Sequence, residues 1–104
     1  MSNQVYELLF DKEFTRRYKK LDNSLRIEGD KKILKLKENP NFGKPLKYFS
    51  NLFELHLQMY RIFYIVDHNR IKILFIGVEH KDECDKYLKH LTQEKINELI
   101  KVNL

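Results

Sequence analysis

Apolar and polar residues follow two different periods along this chain, and the switches between them divide it into elements. Gln4 to Phe10 (QVYELLF) is a run of mostly strand-forming or apolar residues that stops at Asp11, a good helix N-cap. Phe14, Tyr18 and Leu21 follow at spacings of four and three, the repeat of an amphipathic helix. Asp22, Asn23 and Ser24 interrupt that stripe and can cap a second helix, in which Leu25, Gly29, Ile33 and Leu36 share one face. A glycine inside a helix costs about 1 kcal/mol, so Gly29 on the apolar stripe points either to close helix packing or to a local kink. Asn39 and Pro40 end the helix, because a residue before proline is pushed out of the αR region.

Asn41 to Ser50 (NFGKPLKYFS) reads as a loop or irregular crossover. Three strand-like runs follow, Leu52 to Leu57, Tyr60 to Asp67 and Ile71 to Val78. In the first, Phe53, Leu55 and Leu57 alternate with Glu54 and His56, the period of two that marks a half-buried strand. In YRIFYIVD, Tyr60, Ile62, Tyr64 and Val66 share one face and Arg61, Phe63 and Ile65 the other. His68, Asn69 and Arg70 make a short hairpin connection, so an antiparallel meander is expected. From Glu79 onward the chain is polar; Tyr87, Leu88 and Leu91 offer helical contacts, and Thr92 can cap a last amphipathic segment carrying Ile96, Leu99 and Ile100. The expected fold is α+β: β-α-α-β-β-β, two N-terminal helices on the sheet, and a short C-terminal helical segment.

Composition narrows the class. With 104 residues, 42% of them hydrophobic, the chain supports one modest core and no second or cofactor-binding domain, so residues 1–104 read as a single domain. No apolar run approaches the roughly 18 residues that cross a bilayer, and Met1 to Phe10 lacks a secretory leader's basic and apolar regions. A soluble cytoplasmic protein is expected, with no membrane partner. Cys84 is the only cysteine, which leaves no internal disulfide and no cysteine cluster for a structural zinc. The net charge of +5 is uneven: residues 1–50 carry 12 Lys/Arg against 7 Asp/Glu, and residues 51–104 carry 8 against 8. A basic surface favours polyanionic or acidic partners, although a lysine-rich protein need not bind either.

Five segments, FDKEF, YKKLDNSLR, KLKENPNFGKPL, FELHL and YRIFYIVD, fall in an order and spacing that resembles the RelE/ParE toxin superfamily over roughly Tyr6 to Tyr87. The tyrosine–arginine pair opening YRIFYIVD is the most specific of them. The resemblance implies a toxin held inactive by an antitoxin encoded beside it, with a heterotetramer of the two as one arrangement. Many such toxins are ribosome-dependent endoribonucleases that cut mRNA by attack of the ribose 2′-hydroxyl on the adjacent phosphate. Others inhibit DNA gyrase, and an inert relative that only binds antitoxin is a third alternative. No metal or small-molecule cofactor is implied for the nuclease branch.

That reaction builds charge on the phosphate and needs fixed cations, a base and an acid on one face. Arg61 matches the family arginine, and a guanidinium holds two phosphate oxygens without losing its proton; a solvated strand arginine, or a partner of Glu54 or Glu79, is the plainer reading. His80 and Lys81 lie 19 and 20 residues beyond Arg61, where the family places a catalytic His, Arg or Lys, and His80 suits proton donation. Tyr87 stands where nuclease members carry an aromatic that stacks on a base or orients the 2′-hydroxyl, but it equally suits a helical core contact with Leu91. Glu54 is a candidate base and His56 a candidate RNA contact, at positions where cations are more usual. Lys44 and Lys47, with the helix lysines Lys31, Lys32, Lys35 and Lys37, offer a diffuse footprint for RNA.

Overall fold

The computed structural model describes residues 4–104. Its elements are β1 (Glu7–Phe10), α1 (Lys12–Tyr18), α2 (Asn23–Leu36), β2 (Lys44–Pro45), β3 (Leu52–Leu57), β4 (Tyr60–Asp67), β5 (Lys72–His80), α3 (Cys84–His90) and α4 (Gln93–Asn103), with a 3₁₀ turn at Lys81–Glu83. The strands form one sheet in the order β1-β5-β4-β3-β2, in which β1 runs parallel to β5 and the other pairs are antiparallel. The expected α+β order and meander are present. Three boundaries differ from expectation. The first strand is shorter than Gln4–Phe10; a two-residue strand, β2, lies inside the segment read as a loop; and β5 runs two residues past Val78 to include Glu79 and His80.

Strand alternation divides the core in two. Phe53, Leu55, Leu57, Ile62, Tyr64, Val66, Ile73, Phe75 and Val78 face α1 and α2, where Phe14, Ile33 and Leu36 complete a layer. Leu52, Phe63, Ile65, Leu74 and Ile76 face the other way, against Cys84, Leu91 and Ile96 of the C-terminal helices. The C-terminal segment therefore supplies the second covering layer rather than an appendage.

Local chemistry explains the helix placements. Asp11 caps α1, its carboxylate accepting from the Glu13 N–H at 3.1 Å. Asp22 occupies the cap of α2 without a side-chain hydrogen bond. Gly29 is buried, and a Cβ there would collide with the Tyr18 hydroxyl and meet Leu57 at 3.2 Å; the glycine marks close packing within an unbroken helix. Lys32 Nζ donates to the His56 carbonyl at 2.8 Å and Gln58 Nε2 donates to Glu28 at 2.7 Å, so α2 grips the end of β3.

Candidate functional site

Directly opposed residues in neighbouring strands point to the same face, and two such rows end on the face that α3 and α4 cover elsewhere. One row is His56↔Arg61↔Glu79; the other is Lys44↔Glu54↔Phe63↔Gly77. The register thus gathers Lys44, Glu54, His56 and Arg61, four of the expected site residues, on one side of the sheet.

Within this patch the carboxylates have partners other than Arg61. Glu54, mostly buried, lies 3.0 Å from Nε2 of the exposed His56. Glu79 holds Arg17 of α1 through two contacts, Nη1–Oε2 at 2.6 Å and Nη2–Oε1 at 3.2 Å. Arg61 instead donates from Nη1 to two carbonyls of the β3–β4 turn, Gln58 O at 2.7 Å and Tyr60 O at 2.8 Å. Among the described residues Arg61 forms no ion pair, so its guanidinium is held in place with its charge uncancelled and with donors remaining. The anchoring turn has Gln58 in the left-handed region at φ 54°, and the Lys81 N–H fixes it from the other side by donating to Met59 O at 2.7 Å. The Lys81 side chain is exposed beside that turn.

The expectation that His80 joins Arg61 is not met. His80 is the Cα partner of Tyr60, and its ring meets the Tyr60 ring edge-on at 5.4 Å, on the side of α1 and α2. Its Nδ1 accepts from the Asp82 N–H at 3.1 Å. A register shift in the β4–β5 ladder explains the placement: Phe63 pairs with Gly77 but Tyr64 with Phe75, so Ile76 is an extra residue. Strict alternation from Leu74 and Ile76 would bring His80 to the Arg61 face; the bulge exchanges it for Glu79.

Tyr87 is used for packing. Its ring stacks on Phe63 at 4.9 Å with an interplanar angle of 23°, and its hydroxyl stands 2.5 Å from where a Cβ on Gly77 would be. Burial, with Glu79 and Asp11 nearby, pushes its phenol well above the usual range. Cys84 lies beside the patch, its thiol pushed up to about 11 by burial and by Glu54, with Arg61 acting in the opposite direction. Lys44 and Lys47 are exposed on β2 and the loop after it.

Glu79 and Arg17 escaped the sequence reading as a pair. Glu79 is only 7% exposed, and its carboxyl is raised by burial, which outweighs the lowering effect of Arg17. Among the described residues no group of three or more His, Cys, Asp or Glu is arranged to hold a metal ion, and no helix is long and apolar enough to cross a membrane. The patch therefore offers one anchored guanidinium, a carboxylate–imidazole pair and flanking lysines: groups that bind a phosphodiester and move a proton beside it.

No curated protein matches the sequence. In structure it is similar to a chain of the intact E. coli RelBE toxin–antitoxin complex, with 25% identity, TM-score 0.68, and coverage of 73% of this chain and 96% of that one. It is likewise similar to the isolated E. coli RelE toxin (23% identity, TM-score 0.68, 81% and 99% coverage) and to the RelBE2 complex of Mycobacterium tuberculosis (22%, 0.66, 76% and 94%). The profile of the ParE toxin of the type II toxin–antitoxin system parDE matches residues 6–83, which span both N-terminal helices and the whole sheet. The chain therefore belongs to the RelE/ParE superfamily of type II toxin–antitoxin toxins.

Proposed function

We propose that this toxin is a ribosome-dependent endoribonuclease that cuts mRNA by 2′-hydroxyl attack, and that Arg61 holds the scissile phosphate. The observation that carries the reading is the anchored guanidinium without a carboxylate partner, Cα-paired with His56, whose ring bonds Glu54. In the proposed step the 2′-oxygen forms a bond to phosphorus as the bond to the 5′-oxygen breaks. Glu54 takes the 2′-hydroxyl proton, and the protonated His56 ring supplies one to the departing oxygen, leaving a 2′,3′-cyclic phosphate and a 5′-hydroxyl end. Arg61, with Lys81 next to its anchoring turn and Lys44 opposite Glu54, balances the charge that accumulates on phosphate. Tyr87 serves the site by fixing α3 on Phe63, and His80 by fixing the 3₁₀ turn that follows β5.

Primer extension on translated mRNA tests the reading. Wild type should leave new 5′ ends on ribosome-bound message, and Arg61→Ala should abolish them. A wild type that leaves none sinks the nuclease reading; an Arg61→Ala variant that cuts equally well sinks the site.

A second reading, gyrase inhibition without RNA cleavage, draws on the match to the ParE toxin family. A DNA supercoiling assay separates it, since only this reading predicts inhibition of purified gyrase. Under either reading we propose a cognate antitoxin partner, as in the RelBE complexes, that covers apolar surface on the helix side. Phe10 and Leu34, 45% and 59% exposed, flank a groove there between β1, α1 and α2.

A further inference from the structure

We infer that the groove between the β2 loop and α3 is a binding site for the message strand, continuing from the phosphate held at Arg61; the inference rests on the nuclease reading. The groove is floored by Leu46, Phe49 and Leu88, which pack against the second core, and rimmed by Lys44, Lys47 and Lys89 with Asp85 as the one acid. Tyr48 at its lip is 91% exposed, so folding makes no use of its ring. An apolar floor, three ammonium groups and a free aromatic ring suit a single strand: bases stack on the ring and its charged backbone lies along the lysines.

The groove is already shaped. The Leu46 N–H donates to Leu52 O at 2.9 Å and the Phe49 N–H to Leu46 O at 3.4 Å, so the loop is folded as a turn on the start of β3. It also adjoins the candidate site along both walls. Lys44 is the Cα partner of Glu54, and α3, which lines the groove with Leu88, carries Cys84 and Tyr87 beside and over the catalytic rows. A strand whose phosphate sits at Arg61 and whose 2′-hydroxyl faces Glu54 reaches Lys44 next, and then Tyr48.

The test uses the full chain on ribosomes programmed with a message whose scissile nucleotide is 2′-deoxy, which blocks cutting, and which carries 4-thiouridine at one position at a time on either side. Ultraviolet crosslinks from one flank should map to the segment around Tyr48 or to α3 near Leu88. With cleavable message, Tyr48→Ala should raise the toxin concentration for half-maximal cutting about tenfold, within the range for one lost base–aromatic stack, and Tyr48→Phe should restore it. If wild type cuts but Tyr48→Ala cuts at unchanged concentration, or the crosslinks map elsewhere, the groove assignment fails while the nuclease reading stands. If Tyr48→Ala weakens only binding of the antitoxin, the occupant is a peptide and the assignment to RNA is overturned. A wild type that cuts no message removes the nuclease reading, and this one with it.

Discussion

The Tyr87 hydroxyl stands 2.5 Å from the point where a Cβ on Gly77 would be, and the Tyr87 Cζ 2.7 Å from it, so the tyrosine of α3 fits β5 only because residue 77 has no side chain. Gly77→Ala forces the ring off Phe63 or bends the strand beside the bulge. Overpacking of this kind costs about 1–3 kcal/mol, which urea denaturation would register. Pairing it with Tyr87→Leu removes the colliding atoms, so the double variant should be clearly less destabilised than the sum of the two single changes; strict additivity would show that the two residues do not meet.

Tyr64 organises the crossover before β2. Its hydroxyl accepts from the Gly43 N–H at 2.9 Å and donates to the Pro40 carbonyl at 3.0 Å, and burial pushes its phenol up to about 12. Tyr64→Phe keeps the ring stacked on Phe53 but deprives both loop groups of their partner, for an expected loss of about 1–3 kcal/mol. Hydrogen exchange should show the Gly43 amide losing protection well before the amides of β4 do. Equal loss along β4 would mean that the hydroxyl holds the sheet rather than the loop.

These two tyrosines mark the boundary of what pattern alone reveals. Alternation in YRIFYIVD correctly separated Tyr60, Ile62, Tyr64 and Val66 from Arg61, Phe63 and Ile65, because β3 and β4 pair without interruption. It therefore placed Glu54, His56 and Arg61 on one face. The expectation that His80 joins Arg61 rests instead on family-like spacing, which takes no account of a bulge that changes parity through a single extra residue; Ile76 looks like any other apolar strand position. His80 and Glu79 exchanged faces as a result. The Glu79–Arg17 pair joins residues 62 apart in sequence, and such a contact leaves no periodic trace. β2 was hidden for a different reason: two residues, one of them proline, are too few to show alternation.

Cys84 offers a direct probe of how α3 sits. The thiol is 7% exposed, lies 3.5 Å from the His80 carbonyl, and is pushed up to about 11, chiefly by burial. Only the thiolate is alkylated. Against an ordinary thiol near pKa 8.5, the native protein at pH 8 should react with iodoacetamide roughly 200-fold more slowly than the urea-unfolded chain. Gly77→Ala, by lifting Tyr87 and with it α3, should accelerate the native reaction. A native rate matching the unfolded one would contradict the packing of α3 on the sheet.

Glu79 should make stability depend on pH in an unusual direction for a carboxylate in an ion pair. Burial raises its carboxyl in the folded chain, and the bidentate Arg17 contact only partly offsets this. A folded group that binds its proton more tightly than the unfolded chain does contributes stability that is fully present below the unfolded pKa, about 4.3 for glutamate. That contribution is lost as the pH rises through the folded pKa. Wild type should therefore lose stability relative to Glu79→Gln between about pH 4 and neutrality, where the amide keeps the shape without acquiring a charge. Arg17, 44% exposed at its side chain, can return to water in the variant. Urea denaturation of both proteins across that window gives the comparison. A wild type that instead gains on Glu79→Gln as the pH rises would mean that the Arg17 attraction outweighs the burial of the carboxylate.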